Sequence, residues 1–154
     1  MKKLSTLILS SLILLLAFSG CKKDKEDAAA PAPKTKTELL TKAAWKFDNA
    51  KMAGTDISNN AALACYKDNV MVFNSSLGGT IDEGGNVCTN PAPPTFTWSL
   101  LNTEAILNIS AILLPGGTSN FTLVSVDETN LVVSQNVTIP PSPIALNVVL
   151  TFKH

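Results

Sequence analysis

The stretch Leu131-Val132-Val133-Ser134-Gln135-Asn136-Val137-Thr138-Ile139, and after Pro140-Pro141-Ser142-Pro143 the stretch Ile144-Ala145-Leu146-Asn147-Val148-Val149-Leu150-Thr151-Phe152-Lys153, decide the fold class. In the first, Leu131, Val133, Val137 and Ile139 share a face, with Ser134, Asn136 and Thr138 opposite. In the second, Ile144, Leu146, Val148, Leu150 and Phe152 point one way, while Asn147, Thr151 and Lys153 point the other. Apolar residues at every second position make the period of a strand with one face buried, not the 3.6-residue period of a helix. The proline cluster between the segments cannot join a ladder and reads as a loop.

Working outward from this pair, the same signal recurs. Ser119–Val126 precedes the turn Asp127-Glu128-Thr129-Asn130. Ala105–Ser110 is a strand after the Asn102-Thr103-Glu104 turn, and Pro115-Gly116-Gly117 breaks the chain behind it. Thr95–Leu100 puts Phe96, Trp98 and Leu100 on one face, behind the stiff loop Pro91-Ala92-Pro93-Pro94. Gly78–Asp82 reads as a short, glycine-loosened strand followed by the turn Glu83-Gly84-Gly85-Asn86, and Asn69–Asn74 as the strand before it. Ile57–Cys65 has room for one or two helical turns with Ser58 as N-cap, after a turn at Gly54-Thr55-Asp56. Trp45–Lys51 alternates bulky and polar residues. Thr37–Ala44 reads as a short helix capped by Thr35 or Thr37. About eight short strands with a turn roughly every ten residues predict an all-β fold, and consecutive short connections predict an up-and-down antiparallel β-barrel with a short N-terminal helix. Closure would remove edges that such apolar strands otherwise expose.

Composition narrows the function. The 154 residues carry twelve Lys, no Arg and twelve acids, a formal charge of zero. From Thr37 onward five Lys face nine acids, so the folded part is mildly acidic and offers no clustered cations for a phosphate backbone. A nucleic-acid partner is therefore not expected.

The N-terminal end reads as an address. Lys2-Lys3 precedes an apolar run from Leu4 to Phe18, shorter than the ~20 residues a spanning helix needs, and Ser19-Gly20-Cys21 follows. This order is that of a secretory signal peptide over residues 1–20, with an uncleaved anchor as the rival reading. Residues 21–36 are densely charged and then rich in Ala and Pro, the composition of a disordered tether, and residues 37–154 hold the strands. The stretch ending at Cys21 resembles a bacterial lipobox. That resemblance implies a diacylglyceryl thioether on Cys21, cleavage before it, and palmitate-type acyl chains holding the chain to a membrane. Lys22-Lys23-Asp24-Lys25-Glu26-Asp27 is similar to the surface-export signal of Bacteroidota lipoproteins.

A second resemblance covers almost everything after the tether. Leu40-x-x-x-x-Trp45, then Cys65-Tyr66-Lys67-Asp68-Asn69 with Val72-Phe73, then Asp82-Glu83-Gly84, Cys88 and Trp98-Ser99-Leu100, resemble the lipocalin-like domain of Bacteroidota lipoproteins. The resemblance implies a small lipid-anchored antiparallel barrel, without fixing a ligand.

The chemistry-bearing residues offer little to an enzyme. With Cys21 given to lipid, Cys65 and Cys88 form an even pair in an exported chain, which reads as a disulfide, a free thiol being the alternative. The sole histidine is His154, so neither a Ser-His-Asp set nor a zinc site can be assembled. Asp68, Asp82 and Glu83 read as turn chemistry. No cofactor and no metal are expected. Trp45, Phe47, Phe73, Phe96, Trp98, Phe121 and Phe152 are bulky enough either to fill the interior or to line a site for one small apolar ligand. The expected protein is thus a non-enzymatic lipoprotein of the cell envelope, on the outer membrane and facing the periplasm or the cell surface. Its lipocalin-like barrel binds a small apolar ligand. A structural module contacting another envelope protein is the second reading.

Overall fold

The two segments that open the sequence reading pair with each other along their length, from Asn130↔Lys153 to Val137↔Leu146. The structure, a computed structural model, describes residues 32–140 and 142–154; Cys21 and the stretches read as leader and tether, up to residue 31, lie outside the described residues. The chain from Pro33 to His154 is one compact unit. It contains α1 (Lys36–Leu40), β1 (Trp45–Met52), β2 (Thr55–Asp56), a 3-10 helix (Ala61–Tyr66), β3 (Val70–Phe73), β4 (Gly78–Asp82), β5 (Thr95–Leu101), β6 (Ile106–Ile109), β7 (Asn120–Val126), β8 (Asn130–Val137) and β9 (Leu146–Lys153).

The nine strands form one antiparallel sheet in which neighbours follow chain order, and β1 also pairs with β9. The sheet therefore closes into a ring. The circuit runs β1-β3-β4-β5-β6-β7-β8-β9 and back to β1, while β2 only folds back on Lys51 and Met52. This short return is the strand missing from the expected eight; the sequence reading took Thr55-Asp56 as part of a turn. Inward residues of the ring are the alternating set: Leu131, Val133, Val137, Val148, Leu150 and Phe152 are all buried. Phe73 meets the edges of Phe96 and Trp98, with ring centroids 5.3 and 5.5 Å away. Burying side chains of this size contributes roughly 1.5–3 kcal/mol each.

Three expectations need correction. Ile144, read as inward, is 62% exposed. The Ser142 hydroxyl donates to its carbonyl and accepts from its N–H, so the groups that would extend the ladder are used locally and β9 starts at Leu146. Ser58 does not cap the second helical segment. Asn60 does, through Oδ1 to the Ala62 N–H, while the Ser58 hydroxyl accepts from the Ala50 N–H. The first helix is shorter than Thr37–Ala44. A capping box between Thr35 and Glu38 starts it, and it stops at Leu40, whose carbonyl accepts the Trp45 indole N–H at 2.9 Å.

A meander places alternate connections at alternate ends. The tight turns 74–77, 102–105 and 127–129 lie at the end where α1 leads into β1. Lys34 and Lys42 both pair with Glu128 there, and Lys36 Nζ donates to the Glu104 carbonyl. The longer segments 53–69, 83–94, 110–119 and 138–145 gather at the opposite end.

Candidate functional site

At the long-loop end the chain leaves the 3-10 helix at Tyr66, whose carbonyl accepts the Asn69 N–H at 3.3 Å, and enters β3 at Val70. This tight exit turns the Asn69 side chain inward. Asn69 is only 8% exposed, and its Oδ1 is buried with no hydrogen-bond partner among the described residues. An unpaired buried acceptor costs about 1–3 kcal/mol.

Asn69 lies in the wall of an apolar cavity of about 20 Å³. The ring supplies Phe47, Met71, Ile81, Leu150 and Phe152, and the cover is made by Leu63 and Tyr66 of the 3-10 helix, Ala92, and Leu113 with Leu114. A space of this size holds about one water. Outside lies an open groove of about 690 Å³, bounded by the 3-10 helix, the 89–93 strip and residues 110–116. Tyr66, Ala92 and Leu114 line both spaces, and so stand where a partition between groove and cavity would run. Burial, and then the negative charge of Glu83, push the Tyr66 phenol above its ordinary pKa of 10.0, so it stays a neutral hydroxyl at physiological pH.

The loops around these residues are held from several sides. Cys65 and Cys88 are joined by a disulfide across a Cα–Cα distance of 5.1 Å, tying the 3-10 helix to the 83–94 loop. A loop of this length gives a cross-link worth about 3 kcal/mol. Asp68 Oδ2 accepts the N–H groups of Gly85 and Asn86, both at 2.9 Å, and Glu83 accepts those of Cys88 and Ala92. Asp82 accepts the Gly84 N–H at 2.9 Å. The acids singled out in the sequence thus bind backbone. Gln135, inside the ring, donates to the Thr118 and Asn120 carbonyls and accepts from the Thr118 N–H, pinning the 110–119 loop. Among the described residues no group of three or more His, Cys, Asp and Glu is assembled to hold a metal ion. His154 stacks on Trp45, with ring centroids 3.8 Å apart, at the far end from the cavity.

Of the seven aromatic residues read as lining, Phe47 and Phe152 border the cavity. Trp45, Phe73, Phe96, Trp98 and Phe121 are buried and border neither space; they fill the ring. Asn69 and Tyr66 were not singled out as site residues. Asn69 stands at the head of a strand-like stretch, and sequence does not distinguish a polar side chain that finds a partner from one that does not. No protein-family profile matches the chain, and no curated protein matches it in sequence.

Proposed function

We propose that the chain is a lipid-anchored cell-envelope lipoprotein whose folded part is a lipocalin-like β-barrel that binds a small apolar ligand without turnover. The observation that carries this reading is the apolar cavity inside a closed antiparallel ring, which shares Tyr66, Ala92 and Leu114 with an open groove. Concave, mostly apolar spaces with few polar groups are the usual form of a small-molecule site. The cavity is narrow, so a ligand larger than water must part these side chains. The test is a titration of the full chain in detergent with toluene, followed by NMR against protein-free micelles. Saturable binding is expected, and Ala92→Trp, which adds bulk there, is expected to abolish it. Absence of saturable binding in the unaltered chain would rule the reading out.

The anchor belongs to Cys21, with the outer membrane as its site. Cells fed labelled palmitate are expected to label the chain, and Cys21→Ala is expected to lose both the label and membrane association. An unlabelled wild-type chain would remove the anchor from the proposal. The second reading, a module that contacts another envelope protein, is favoured by Val87, Ile112 and Ile144, large apolar side chains exposed on three different long loops.

A further inference from the structure

We propose that Asn69 is the polar anchor of the cavity, and that its ligand is a neutral apolar molecule presenting one hydrogen-bond donor, of the alcohol or phenol class, to Asn69 Oδ1. This rests on the ligand-binding reading above and adds the ligand's chemistry to it.

Asn69 belongs to the cavity wall, and its Oδ1 is buried with no partner among the described residues. Asp68 and Glu83 are occupied by backbone N–H groups of the 83–94 loop, and the other polar side chain of the wall is the Tyr66 phenol. An unpaired acceptor buried in an apolar wall is a cost that a donor on a bound molecule removes. The wall contains no charged side chain. A carboxylate or phosphate head would arrive there without a counter-charge and facing an acceptor, which disfavours an anionic ligand at this depth. A purely apolar ligand would leave Oδ1 unpaired. A neutral O–H therefore fits best. Its apolar body would lie past Tyr66, Ala92 and Leu114, toward the groove.

Three ring-sized probes separate the possibilities. Phenol has a donor, anisole only an acceptor, and toluene neither, so the cost of parting the wall largely cancels between them. Affinities are read from amide shifts of Asn69, Val70 and Met71 in the full chain in detergent, against protein-free micelles. Phenol is expected to bind about tenfold more tightly than anisole or toluene. Asn69→Leu is expected to erase that preference while toluene still binds. In the unaltered chain, the Asn69 side-chain amide resonance is expected to move with phenol and stay with toluene, which keeps the test open if the variant fails to fold. Saturable toluene binding with no preference for phenol overturns the anchor and leaves the ligand-binding reading standing. Equal binding of anisole and phenol overturns the donor requirement, as does a phenol preference that survives in Asn69→Leu. No saturable binding of any probe overturns both readings.

Discussion

Gly79 shows how much a single side chain's absence can matter. It sits in β4 opposite Phe96, and a Cβ built there would run into the Phe96 ring and the Val72 carbonyl. The Phe96 ring therefore occupies the space a side chain would take, and packs from there against Phe73. Gly79→Ala is expected to destabilise the fold by about 1–3 kcal/mol, measured by urea unfolding, because the close-packed ring has little room to yield. A change under about 0.5 kcal/mol would mean that the ring swings aside freely. The sequence shows the glycine and the aromatic but not their meeting, since Gly78-Gly79 alone reads only as a loosened strand. Asn69 is illegible for a related reason. Its significance is a missing partner, and that depends on every group folded around it.

At the scale of elements, strands were legible wherever alternation is unbroken. β4 has the expected limits, β5 and β7 differ from expectation by one residue at one end, β3 and β6 by one at both ends, and β8 starts one residue earlier and stops two earlier. Irregularity hid the rest. In β1 the register with β9 shifts between Phe47 and Asn49. Strict alternation from Trp45 would carry Asn49 and Lys51 inward, but the extra residue turns Ala50 in, where it is fully buried. The helix α1 is too short to persist alone. Its neighbour is the turn 127–129, where Glu128 pairs with Lys34 and Lys42. Hydrogen bonds from these two lysines hold the Glu128 carboxyl at about 2, below its ordinary 4.5. In the same turn, the Thr129 and Asn130 N–H groups, with the Thr129 hydroxyl, hold Asp127 at about 2, below 3.8. An acid whose pKa is depressed by folding adds stability above its unfolded pKa and loses it as pH falls toward the folded value. The thermal midpoint is therefore expected to decline as pH drops from about 4.5 to about 2. Glu128→Gln should flatten that decline. Salt should flatten it as well, because the pairs are exposed. An identical acid slope in the variant would show that the contacts with Glu128 do not support α1.

At the scale of the molecule, the up-and-down order was readable from short connections, but closure was only an expectation from exposed edges. Nothing local in Trp45–Met52 announces pairing with a strand at the other end of the chain, from Lys46↔Lys153 to Met52↔Val148. That pairing follows from sheet twist, which brings the first and last strands together once the intervening ones are laid down. Closure has a measurable consequence. In an open sheet, β1 and β9 would be edges with one row of amides facing solvent, and those amides would exchange quickly. In a ring they are interior. Hydrogen exchange is therefore expected to protect the β1 and β9 amides that bridge the seam as strongly as those joining β7 to β8, and to protect Thr55 and Asp56 of β2 far less. Seam amides exchanging as fast as those of β2, while the β7–β8 ladder stays protected, would mean that the ring stands open in solution. The cavity would then lose the wall that Phe47 provides from one side of the seam and Leu150 with Phe152 from the other. Seam protection and ligand binding are thus linked: a probe that occupies the cavity should slow exchange at the seam, because it binds only the closed ring.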